Sequence, residues 1–133
     1  MLEKNCGVII YTRINKALQY VLIKDLNGNY GFPKGIQKEN ETITQTAKRQ
    51  AKEKTGLDIT LIENFQRRIF YPLDEENEKE VTFFIGTYRN QEYKANEEIT
   101  GIELVTYKQA LELLKHKDEL DIFMKAHEVV VKL

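Results

Sequence analysis

The sequence predicts an α/β (α+β) fold in which helices press on a sheet, and three observations carry that prediction. Apolar, β-branched runs lie on both sides of one strongly signalled helix. That helix opens at Thr42 with Thr-Ile-Thr-Gln, and a later one opens at Thr106 with Thr-Tyr-Lys-Gln; both stretches have the form of a capping box. The first helix would carry Ile43, Ala47 and Ala51 at four-residue steps, and its two alanines allow a close approach to strands.

Taken in order, residues 6–11 (Cys-Gly-Val-Ile-Ile-Tyr) are a short apolar run that reads as a buried strand. After a polar turn at 12–16, residues 18–24 are β-rich and supply a partner strand. Residues 25–29 form a turn centred on Asn27-Gly28. In the loop over 30–35, Pro33 fixes its own φ, lacks an amide donor and pushes Phe32 into an extended conformation. The helix is expected from about Thr42 to Thr55, and Gly56 is a natural stop for it. Residues 59–71 alternate and predict one long strand with an irregularity near Glu63-Asn64. Residues 74–79 read as a charged, solvated loop, 81–88 as an aromatic and β-branched strand, 89–98 as a polar loop and 102–107 as a strand. The second capped helix should run to about Lys115. A final amphipathic helix from Asp118 carries Leu120, Phe123, Met124, His127, Val130 and Val131 at helical spacing.

A length of 133 residues predicts one domain, and 41% hydrophobic with 31% charged residues is ordinary for a globular chain. The formal net charge of −1 excludes a global basic field for nucleic acid, leaving at most a 5′ end as a nucleic-acid ligand. The single cysteine, Cys6, excludes an intrachain disulfide and suits a reducing cytosol; its aliphatic surroundings predict packing rather than nucleophilic chemistry. No charged start precedes a sustained apolar run, and nothing approaches the ~20 apolar residues of a membrane span. The expectation is a cytoplasmic protein, monomeric by default.

Function is written on the helix face where Arg49, Gln50, Glu53 and Lys54 crowd together, three and four residues apart. Gly35, Glu41, Arg49, Glu53, Gly56 and Leu57 follow one another at spacings of six, eight, four, three and one. This pattern resembles the Nudix box, the loop–helix–loop of the Nudix (MutT-like) hydrolases. The resemblance implies a Nudix fold: an α/β/α sandwich with a mixed central sheet and C-terminal helices. Members cleave a nucleoside diphosphate linked to another group, with helix glutamates holding Mg²⁺ or Mn²⁺ against the pyrophosphate. Hard carboxylate oxygens suit such ions, which neutralise phosphate charge and help ionise water.

The Gly-Phe-Pro-Lys-Gly loop, the Phe65-Gln66-Arg67-Arg68 stretch followed by Tyr71, and Lys79 before Val81-Thr82-Phe83-Phe84 look like the diadenosine tetraphosphate hydrolase branch. By that resemblance the ligand is a dinucleoside polyphosphate, with Tyr30, Arg67, Tyr71 and Phe84 near the nucleotide and Lys34 and Lys79 on its phosphates. Glu53, Gln50 and Glu97 or Glu98 would meet the metal. Arg49, Lys34, Glu53 and Glu97 would form the catalytic set, while Gly35, Glu41 and Gly56 shape the motif.

The box departs from the family at two places. Gln50 stands where a glutamate follows the arginine, and Lys54 stands for the second of the Glu-Glu pair. Gln50 keeps an oxygen without charge, and the Lys54 ammonium would repel a cation. Weak metal affinity is therefore predicted, and two functions are weighed, of which the first leads and the second is the alternative. One is a slow dinucleoside-polyphosphate hydrolase; the other is a silent nucleotide-binding or regulatory module, without a metal cofactor, whose lysines form an anion site. Blander roles compete at single residues. Arg49 and Glu53 could be a surface ion pair, Lys34 a loop lysine, and Tyr30, Tyr71 and Phe84 packed aromatics. Glu97 and Glu98 could simply face solvent, His116 should be a surface residue, and His127 a structural one.

Overall fold

The computed structural model describes residues 1–133. The elements run β1 (Leu2–Ile14), β2 (Ala17–Asp25), β3 (Tyr30–Gly31), β4 (Lys34–Ile36), α1 (Ile43–Thr55), β5 (Thr60–Leu61), β6 (Arg67–Pro72), β7 (Glu78–Thr87), β8 (Ile99–Val105), α2 (Tyr107–Leu113) and α3 (Lys117–Val130). One mixed sheet has the path β3-β2-β1-β7-β5, with β4 on β1, β6 on β7 and β8 on β2. Its centre is the parallel pair β1–β7, in register from Leu2↔Glu78 to Tyr11↔Thr87. The sheet is covered on both faces. Cys6, Val8 and Ile10 pack towards Ala47 and Ala51 of α1, while Ile9 and Tyr11 pack into the core that holds Ile122, Phe123 and Ala126 of α3. Such two-sided burial explains why residues 6–11 read as a continuous apolar run rather than an alternating one.

Most expected elements are present, with instructive differences. β1 is longer than residues 6–11 at both ends, because polar residues there are held by backbone pairing to β2, β4 and β7. The β1–β2 hairpin turns through Asn15 and Lys16, both at positive φ (50° and 70°), as a two-residue hairpin requires. The single strand expected over 59–71 is two strands. Asn64 sits in the left-handed region at φ 68°, and β5 and β6 pair with different parts of β7. The charged loop at 74–79 ends early: Asp74 accepts from the amides of Glu76 and Asn77, and Lys79 already lies in β7 opposite Tyr71. Both capping boxes form, Thr42 with Gln45 and Thr106 with Gln109. α1 ends at Gly56, whose φ is +79°.

Candidate functional site

The loop from β4 to α1 is shaped by Arg49. Its Nε donates to Glu41 Oε2 at 2.7 Å and its Nη2 to Glu41 Oε1 at 2.9 Å, a two-pronged pair that fixes both side chains. Nη2 also donates to the Ile36 carbonyl at 2.9 Å, and Nη1 reaches both Glu53 oxygens at 3.3 Å. Thr46 Oγ1 and the Lys38 amide complete the shell of Glu41. These bonds, Arg49 first and Thr46 next, hold the Glu41 carboxyl down at about 2. Arg49 thus clamps the loop to the helix, a role beyond a surface ion pair.

Gly35 has a steric reason to be glycine. A Cβ there would lie 2.3 Å from the Gln50 side-chain amide carbon, so β4 and α1 touch at that point. Gln50 is 6% exposed, and its Oε1 has no hydrogen-bond partner. One turn on, the Lys54 side chain is only 16% exposed and turns inward. Its ammonium donates to the Lys34 carbonyl and lies 3.7 Å from Glu98 Oε2. Burial lowers the Lys54 pKa, Glu98 opposes that shift, and Lys34 and Lys79 reinforce it. The Glu53 side chain is 47% exposed and faces Arg49.

This face forms one wall of a cleft of about 1280 Å³. Tyr30, Lys34, Gly35, Arg49, Gln50, Glu53, Lys54, Lys79 and Glu98 all border it. Lys34 Nζ donates across it to Glu119 Oε2 of α3 at 3.4 Å, and His116 stands at the rim. Lys24 Nζ lies 5.5 Å from the centre of the Tyr30 ring.

Not every residue expected at the site comes to it. Phe84 is buried in the core beneath α1, so it cannot stack on a ligand in this cleft. Arg67 is exposed on β6, where it covers the Phe65 ring and donates to the Gln66 carbonyl. Glu97 is exposed beside the cleft but does not border it; Glu98 is the residue of that pair that does. Tyr71 stands behind the rim, edge-on to His116 with ring centroids 4.6 Å apart. His127 is structural, stacked on Tyr107 and bonded to the Tyr20 hydroxyl at 2.7 Å. Cys6 is buried, and burial raises its thiol to about 11, which suits packing rather than reactivity. Sequence reading missed Glu119. Its signal was a carboxylate three and four residues before Ile122 and Phe123, on the apolar stripe of α3.

The model of the NUDIX domain matches residues 3–126. The chain belongs to that family. Asymmetrical bis(5′-nucleosyl)-tetraphosphatase of Sus scrofa is 25% identical over 146 aligned positions, covering 100% of this chain and 99% of the relative. The same enzyme of Mus musculus is 24% identical, covering 96% of this chain and 95% of the relative. Among solved structures, a C. elegans Ap4A hydrolase binary complex superposes with a TM-score of 0.89 at 18% identity, covering 98% and 99% of the two chains. The NUDIX domain of Shewanella oneidensis NrtR, complexed with ADP ribose, gives 0.80 at 17% identity, covering 98% and 89%. These likenesses show the NUDIX fold.

The divalent ion of the family can be tested against these side chains, and they do not fit it. No group of three or more His, Cys, Asp or Glu residues is gathered closely enough to hold a metal. On the box helix, Glu53 is tied to Arg49, Gln50 brings no charge, and the Lys54 ammonium points at Glu98. A hard cation needs several oxygens converging on it, and here a cation of the chain already meets them.

Proposed function

We propose that this chain is a nucleotide-binding module of the NUDIX family. Its cleft takes the polyphosphate of a dinucleoside polyphosphate on Lys34, Lys54 and Lys79, without a divalent ion. The observation that carries this reading is the Lys54 ammonium, folded inward to the Lys34 carbonyl and Glu98 from the helix position where the family places a glutamate. An ammonium supplies positive charge and hydrogen bonds to phosphate oxygens. It does not ionise a water as a metal does, so binding is kept and turnover is not. Tyr30 in the cleft and His116 at its rim, backed by Tyr71, offer aromatic surface for a base.

A second reading, slow hydrolysis of the same ligand, is favoured by the whole-length similarity to bis(5′-nucleosyl)-tetraphosphatases. Titration calorimetry with diadenosine tetraphosphate and ATP, in Mg²⁺ and in EDTA, separates the two when paired with a hydrolysis assay. Binding of equal strength in both buffers, with no turnover, supports the module. Turnover abolished by Glu53→Gln and by chelator supports the hydrolase.

A further inference from the structure

The ammonium groups of the cleft are met by carboxylates of the chain itself, and those carboxylates are held very differently. Lys34 meets Glu119 Oε2 at 3.4 Å, and the Glu119 side chain is 9% exposed. Lys54 meets Glu98 Oε2 at 3.7 Å, and the Glu98 side chain is 65% exposed. That long approach is the one polar contact of the Glu98 carboxylate. The main chain beneath it is fixed. The Glu98 amide donates to Asn96 Oδ1 at 3.0 Å and the Ile99 amide to the Asn96 carbonyl at 3.2 Å. Earlier in the same loop, the Lys94 amide donates to the Thr55 carbonyl of α1 at 2.8 Å. Glu98 is thus a side chain free to turn on a backbone that is not, and turning it exchanges a long ion pair for water at small cost. For Lys54 the contact weighs more. Burial lowers its pKa, Glu98 is the strongest charge opposing that shift, and Lys34 and Lys79 push the other way. Glu98 is therefore the anion on which these clustered ammonium groups lean.

We infer that Glu98 is a built-in competitor for the phosphate site: its carboxylate holds the Lys54 ammonium until a phosphate displaces it into solvent. This rests on the nucleotide-binding reading above and adds to it a residue that keeps affinity down. The reason is that one ammonium cannot serve both anions well. Of its three donors, one goes to the Lys34 carbonyl. A carboxylate and a phosphate crowded against the remaining side would repel each other. Displacement removes that conflict, and the exposed position of Glu98 gives its carboxylate somewhere to go. The enclosed Glu119 has no such route, which assigns the exchange to Glu98. The sign is opposite to that expected of a metal ligand: removing Glu98 strengthens binding in EDTA.

The test is a double-variant cycle read by calorimetry of ATP in EDTA, on the wild type, Glu98→Gln, Lys54→Met and the two changes together. Glu98→Gln should bind ATP about three- to fivefold more tightly than the wild type, the upper range for an ion pair with one exposed partner. In the Lys54→Met background the same change should alter affinity by less than about 1.5-fold, because the group competed for is gone. Glu92→Gln removes an equal charge from the same loop outside the cleft and should also stay within about 1.5-fold, since a distant exposed charge is screened. No gain in Glu98→Gln, a loss of affinity there, or an equal gain with and without Lys54 overturns the inference. So does an equal gain in Glu92→Gln. A wild type that binds ATP, with Glu98→Gln no tighter, refutes the competitor and leaves the binding module standing. If neither protein binds ATP, both are refuted.

Discussion

Replacing Lys54 with methionine should cost nucleotide affinity while leaving the fold intact. The side chain is 16% exposed, so its ammonium works in a partly dehydrated setting rather than in bulk water. Two unit charges 4 Å apart at an effective dielectric of 20 attract by roughly 4 kcal/mol, before desolvation is charged against them. A net contribution of about 1.5–3 kcal/mol is usual for a hydrogen bond to a charged group, which is roughly a tenfold to 150-fold change in dissociation constant. The folded protein loses little. Lys54 gives up a bond to the Lys34 carbonyl and a 3.7 Å approach to Glu98, a side chain 65% exposed to water. Methionine refills the volume and needs no desolvation, so stability should move by no more than about 1 kcal/mol. Calorimetric titration of ATP in EDTA measures the first effect and thermal unfolding the second. Binding within twofold of wild type, by a protein of unchanged stability, would refute the claim that Lys54 stands in for metal charge.

Three further outcomes follow from the same geometry. Gln50→Glu combined with Lys54→Glu should create Mg²⁺-dependent turnover of diadenosine tetraphosphate, measured as nucleotide release, because it puts two carboxylates beside Glu53; a double variant as inert as wild type speaks against the missing charges as the cause. The Glu41 carboxyl lies near 2 against an ordinary 4.5, so its stabilising contribution is complete above about pH 4.5 and is lost as pH falls towards 2. Glu41→Gln should flatten that part of the acid-unfolding profile. Gly56→Ala should destabilise the fold by about 1–3 kcal/mol in denaturant titration, since φ is +79° and a Cβ would stand 2.8 Å from the Lys94 amide nitrogen.

Local signals in the sequence were read well because they act locally. Thr42 and Gln45 form their box within one turn, and Gly56 stops α1 through its own backbone angle. Ala47 and Ala51 are fully buried, as a helix pressed on a sheet requires. What the sequence hid depends on partners far along the chain. The irregularity near Asn64 was legible, but the pairing of β5 and β6 with different stretches of β7 was not, since alternation does not choose partners. Phe84 looks as fit for a base as Tyr30 does, and only the register of β7 with β1 sends it under α1. The Lys34–Glu119 contact joins residues 85 positions apart, so neither residue announces the other. The departures at Gln50 and Lys54 were visible in the sequence, but the inward turn of Lys54 was not. That turn separates a surface substitution from one inside the site.

The most direct measurement is a crystal structure of the wild type with diadenosine tetraphosphate, grown in Mn²⁺ and recorded at a wavelength where manganese scatters anomalously. The account predicts the Lys54 ammonium against a phosphate oxygen and no manganese peak on the face of α1. A manganese ion ligated by Glu53 and Glu98, with Lys54 turned out to solvent, would contradict it.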